Sequence, residues 1–213
     1  MSLNRKNSIY YFSKNLILKT TVMRTAISKN EDVKGAMQAK SNTAHGLRDL
    51  FEGGLKDIYW AEKVLTKTLP NMVKNASSPE LVNSLKAQLD KSHEHVSRLE
   101  KIFEVTGIKP AAKKCDAMLG ILKESNSLIK ETDIGVVRDA GIIAADQKVK
   151  HYAIATYGTL HAFAKTLGEN KAANLLVMTL DEEKIMDSAL TGIAMSTINK
   201  QACRADAITN IKA

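Results

Sequence analysis

Four stretches of roughly thirty residues carry apolar side chains at three- and four-residue spacing, the repeat of an α-helix with one buried face. The connections between them are unequal, and that inequality limits the fold more than any other feature of the chain. The first stretch, with Leu47, Leu50, Phe51, Leu55, Ile58, Tyr59, Leu65 and Leu69 along one stripe, ends near Asn75. In "NASSPEL", Ser78 is placed to cap a new helix and Pro79 suits its first position, where a missing N–H loses no partner. The second stretch carries Leu81, Leu85, Leu89, Val96, Leu99 and Phe103. It stops at "TGIKP", with Gly107 suited to a left-handed cap and Pro110 blocking continuation. After "ETDIG", where Thr132 or Asp133 is placed as a cap, a third stretch runs over about 135–167 with Ile143, Ile154, Tyr157 and Leu167. "LGEN" then turns the chain, Gly168 ending one helix and Asn170 capping the next. The fourth stretch, about 170–200, carries Leu176, Leu180, Met186, Leu190 and Ile193, and "CRADAITNIKA" reads as a frayed end.

Short turns make consecutive helices antiparallel neighbours. The chain therefore reads as two helix hairpins, joined by a connection of roughly thirty residues that holds a shorter helix over about 115–131. The expectation is an all-α fold: a ferritin-like four-helix bundle with one long crossover carrying a short extra helix. An up-down-up-down bundle or a helical array has no need of so asymmetric a connection, and no sequence repeat stands out.

Composition narrows the function classes. The net charge is +8, but eight of the 31 Lys/Arg and only two of the 23 acids fall in residues 1–45, so six of the eight net charges sit there. A nucleic-acid binder should be basic on its folded body. The organisation read here is a basic, solvated N-terminal arm, 1–45, followed by a bundle domain, 46–205. Contact with nucleic acid is expected only if that arm makes it. Residues 1–22 hold four bases, no acid and no apolar core of the length a secretory signal needs, and Met23 is an alternative start. No apolar run approaches the ~18 residues of a membrane span. Cys115 and Cys203 are far apart and outside any CxxC, which fits free thiols in a reducing compartment and a cytoplasmic location. Tyr59–Trp60, flanking the first stripe, is a candidate exposed partner surface.

Projecting each helix at 100° per residue places charges among the apolar stripes. Glu62 lies between Ile58 and Leu65; Glu183 shares a face with Leu176, Leu190 and Ala194, with Asp187 one turn on; Lys150 shares a face with Ile143, Ile154 and Tyr157, with Asp146 one turn before. His95 and Gln88 edge the second stripe, with Lys91 further round. His93, His151 and His161 read as surface or packing residues. Inward acids from different helices are the means by which ferritin-like bundles hold two metal ions, usually a Glu from each of two helices and a Glu-x-x-His from each of the others. Oxygen-rich sites of that kind suit iron or manganese. This chain has no Glu-x-x-His on its long helices, and its third helix presents Lys150 instead of a bridging carboxylate.

The segments "LKDIYWAEKVLTKTLPNMVKNASSPEL", "RLEKIFEVTGIKP", "KKCDAM", "VRDAGIIAADQKVKHYAIATYGTL" and "LDEEKIMDSAL" are similar, in order and spacing, to the YciE/YciF family of ferritin-like proteins, over about 46–200. The resemblance implies a bacterial, cytoplasmic protein linked to stress responses, a homodimer, and a dinuclear metal site. Where the family pattern reads "QKVEHYEIA" this chain reads "QKVKHYAIA", with Lys150 and Ala153 at the two glutamates. Where the family reads "HLEETHGQ" this chain reads "QLDKSHEH", with Gln88 and Lys91 in place of a histidine and a glutamate, and His95 in place of a glutamine. Glu62, Glu183 and Asp187 remain as metal ligands, with His95 as a newcomer. Crowded carboxylates need a cation, and the Lys150 ammonium is expected to take the metal's place among Glu62, Glu183 and Asp146, helped by Lys91. Three readings follow: a non-enzymatic stress protein with a degraded metal site and no tightly bound cofactor; an iron or manganese protein with ferroxidase or peroxide-handling activity; and a DNA-associated stress protein using the basic arm.

Overall fold

The structure is a computed structural model that describes residues 44–211, with side chains described to residue 205. Apart from Ala44 and His45, the basic arm lies outside the described residues. Five helices build the body: α1 (Leu47–Asn75), α2 (Pro79–Thr106), α3 (Asp116–Glu131), α4 (Val136–Thr166) and α5 (Asn170–Ile193). A π-helical turn, Ala194–Ile198, leads into α6 (Asn199–Ile211). The α1–α2 and α4–α5 hairpins pack so that α2 meets α5 and α1 meets α4, while α3 lies in the crossover against α4 and α1. This is the ferritin-like bundle with one long crossover. No helix among the described residues is long and apolar enough to cross a membrane.

The core runs along the stripes read from sequence: Phe51, Leu55, Ile58, Leu65 and Leu69 from α1, Leu81, Leu85 and Leu99 from α2, Ile143 and Tyr157 from α4, and Leu176 and Leu190 from α5. Close approach of α3 to α4 depends on Gly141, where a Cβ would stand 2.4 Å from Leu128 Cδ2. Gly107 takes the left-handed cap of α2, at φ 70°.

Several local expectations are corrected. Ser78 stands at the α2 N-cap position without a side-chain cap bond. Its N–H instead donates to Asp139 Oδ2 at 2.9 Å, and Ser77 donates its N–H and its hydroxyl to the same carboxylate, both at 2.7 Å. Gly135, not Thr132 or Asp133, precedes α4, and Thr132 faces back to donate to Leu128 O. Glu169 takes the position expected for Asn170. The chain beyond 200 continues as helix to Ile211. Tyr59 is buried, donating to Glu100 Oε1 at 2.7 Å and stacking edge-on with Phe103, and Trp60 packs partly against the core, so the pair is no exposed surface.

Asp139 is fully buried and is the polar anchor of the α1–α2 turn. Asp139→Ala strands two turn N–H groups and a hydroxyl, and a loss of about 3 kcal/mol is expected in urea unfolding, hydrogen bonds to a charged acceptor being the stronger kind.

Candidate metal centre and buried ion-pair network

Three of the stripe-centred charges meet in the middle of the bundle. Glu62 on α1, His95 on α2 and Glu183 on α5 are each buried, and each offers a ligand atom within 4.8 Å of the other two. The adjacency of α2 to both α1 and α5 makes this convergence. His95 Nδ1 stands 3.3 Å from Glu62 Oε1 and 3.4 Å from Glu183 Oε1. Tyr157, also fully buried, donates its hydroxyl to Glu62 Oε1 at 2.9 Å, and its ring meets that of His95 edge-on. Lys150 on α4 is 2% exposed, and its Nζ is 3.1 Å from Glu183 Oε2.

Burial by itself would drive His95 toward its neutral form. The hydrogen bonds and charges of Glu183 and Glu62 outweigh it and raise the imidazolium pKa to about 9. Burial likewise opposes the Lys150 ammonium, and Glu183, Asp146 and Glu62 reverse the effect, holding the amine above its ordinary value. Burial pushes Glu183 up, but Lys150 and His95 bring it below the usual carboxylate range. At neutral pH the centre therefore balances: Glu62 and Glu183 against His95 and Lys150.

Two residues missed by the stripe argument extend this group to the surface. His95 Nε2 contacts Glu182 Oε2 at 3.0 Å. Arg98 holds Glu182 with Nη1 to Oε2 at 2.6 Å and Nη2 to Oε1 at 3.1 Å, and Nη1 also donates to Thr179. Glu182 is partly buried, which would raise its pKa, but Arg98 and His95 lower it to about 2. Their signal was present in the sequence: Arg98 is one turn beyond His95, and Glu182 adjoins Glu183.

The remaining expected members stand apart. Lys91 lies on the outside, 2.6 Å from Glu94 Oε2 and 3.7 Å from Glu182 Oε1, so it does not enter the buried group as expected. The expectation that Lys150 bridges three acids is also corrected: its direct ion pair is with Glu183, while Glu62 and Asp146 act on it from further away. Asp146 is wholly buried, and burial raises its pKa, with Lys150 only partly compensating. Asp187 is not part of the Glu62–His95–Glu183 cluster. It faces His151, which is 68% exposed in its side chain and not packed, at 3.4 Å.

As a metal site the centre offers one imidazole and two carboxylates, enough to begin a mononuclear site. A dinuclear site does not fit. His95 must first lose a proton held to about pH 9, Glu183 must give up Lys150, and a lysine ammonium offers no lone pair to a metal.

Residues 46–203 match a family described as a domain of unknown function, DUF892. The chain is 42% identical over 157 residues to Protein YciF of Escherichia coli K12, covering 73% of this chain and 95% of that protein. Among solved structures, the E. coli stress protein YciF is similar with a TM-score of 0.71 at 41% identity, over 74% of this chain and 99% of that one. YcfI of Rhodopseudomonas palustris is similar with a TM-score of 0.70 at 37% identity, over 72% of this chain and 98% of that one.

Proposed function

The chain belongs to the DUF892 family, the family of YciF, and on that premise we propose that it is a stress-response protein of the YciE/YciF type with a degraded metal site. In this reading it works without enzymatic turnover, as a structural or interaction module in the cytoplasm. The observation that carries it is the 3.1 Å contact between Lys150 and Glu183 at the centre of the bundle. A lysine there supplies the positive charge that crowded carboxylates need, and it does so covalently tethered, so no ion has to be acquired. His95, held protonated by Glu62 and Glu183, supplies the second positive charge.

A second reading rests on the convergence of Glu62, His95 and Glu183 within 4.8 Å: a single iron or manganese ion on those residues, with oxidoreductase chemistry. Metal analysis after dialysis, with oxygen uptake on adding Fe(II), separates the two. The first reading expects iron and manganese well below one equivalent and no ferroxidase turnover, and expects Lys150→Glu to increase retained Mn(II). Near-stoichiometric metal in the unaltered protein would overturn it and favour the second.

A further inference from the structure

On the α2–α5 side of the centre, buried acceptors outnumber donors. Asp146 and Gln88 are 0% and 1% exposed, and neither oxygen of the one nor either end of the other's amide has a hydrogen-bond partner. Asp187 Oδ1 is buried and equally unpartnered. Four acceptor oxygens thus stand against a single amide nitrogen. Exchanging the two ends of the Gln88 amide leaves that balance unchanged, because the amide has one of each. A direct Gln88–Asp146 hydrogen bond would consume the amide donor and still leave acceptors on both aspartates unmatched. Lys150 is engaged with Glu183, and Lys91 with Glu94. A buried acceptor left without a donor costs about 1–3 kcal/mol, more when it is charged.

Gln88 also lines a groove between α2 and α5 with a volume of about 540 Å³, within the range of small-ligand sites. The other walls include Ala87, Met186, Ala189 and Ile193, with Glu80 among the lining residues. The site thus combines apolar walls with a buried, acceptor-rich, acidic floor. A metal ion does not match it, because neither aspartate joins the cluster whose ligand atoms converge. A ligand that brings several N–H donors and a positive charge on an apolar body does.

We propose that the α2–α5 groove binds a primary-amine organic cation. Its ammonium group donates to Gln88 Oε1 and to the Asp146 carboxylate, and its hydrocarbon lies along Met186 and Ile193. Lys150–Glu183 stays in place, so the ion-pair reading of the centre stands or falls separately, by the metal analysis above.

The test is calorimetric titration of the full-length chain with n-hexylamine hydrochloride, against 1-hexanol and sodium hexanoate as chains of equal length. The expected result is saturable 1:1 binding of the amine, with the alcohol and the carboxylate weaker by at least about tenfold. Ala189→Trp fills the groove from an exposed position, and Gln88→Leu and Asp146→Asn remove head-group contacts. Each is expected to weaken the amine by a similar factor, with folding checked by circular dichroism. Should Asp146→Asn fail to fold, Ala189→Trp and Gln88→Leu carry the decision. Absence of saturable amine binding overturns the proposal. So does equal binding of hexanol, which would mean an apolar groove alone, or amine binding that survives both Ala189→Trp and Gln88→Leu.

Discussion

Lys150→Met is expected to destabilise the protein by about 3–5 kcal/mol at neutral pH, the usual cost of breaking a buried ion pair from one side. Methionine keeps most of the lysine's length and volume, so the loss reports charge and not a cavity. What remains is Glu183, 1% exposed, with His95 shared between it and Glu62 as the nearest cation. Urea unfolding followed by far-ultraviolet circular dichroism measures the change. The double variant Lys150→Met with Glu183→Gln is expected to recover at least half of it, because no uncompensated carboxylate is then buried. A single-variant loss below about 1 kcal/mol would mean that Glu183 does not depend on Lys150, and the idea of a tethered substitute cation would fail.

Stability is expected to fall by about 3 kcal/mol between pH 6.5 and about 9, owing to His95. The imidazolium pKa is raised in the folded state above its unfolded value near 6.5. Its contribution is therefore complete below pH 6.5, where both states are protonated, and is lost as the pH rises through about 9. Glu183 acts in the opposite sense. Its pKa is lowered in the folded protein, so its contribution is present above the ordinary carboxylate range and is lost on acidification. The midpoint of urea unfolding across this range gives the profile, and nuclear magnetic resonance titration of the His95 ring gives the pKa directly. His95→Gln should flatten the alkaline limb. An alkaline limb unchanged in that variant would assign the slope to another group.

Much of the architecture was legible before any coordinates. Ser78-Pro79, Gly107-Pro110 and Gly168 mark helix boundaries through backbone properties of single residues, and all three boundaries fall where those residues stand. The hairpin–crossover–hairpin order follows from connection lengths alone. The burial of Glu62, Glu183 and Lys150 was visible in the same way, because a residue at the centre of its own apolar stripe has no path to water. Lys91 and the Tyr59–Trp60 pair were harder. Each sits at a stripe edge, where a small rotation of the helix decides between core and solvent, and 100° per residue does not resolve that rotation.

Asp139 shows a second limit. In sequence it is an acid in the first turn of α4, an ordinary place for one beside a helix N-terminus. Only the folding of the α1–α2 turn over that end brings Ser77 and Ser78 within 2.9 Å of it. Glu182 was passed over for the same reason. It projects about 100° away from Glu183, and its role comes from His95 and Arg98 on a different helix.

The amino-acid sequence by itself determined that this chain forms two helix hairpins about a crossover, and that four charged residues, Glu62, Asp146, Lys150 and Glu183, are carried into the core. Periodicity encodes both, since it is a property of one helix at a time. Tertiary structure decided which charges meet: His95 between Glu62 and Glu183, Lys150 on Glu183 alone, and Asp146 with Gln88 beside the α2–α5 groove. Those pairings depend on the axial offset and rotation of neighbouring helices. Apolar side chains throughout the bundle set these jointly as they interdigitate, and an ion pair registers displacements of an ångström that a hydrophobic stripe tolerates.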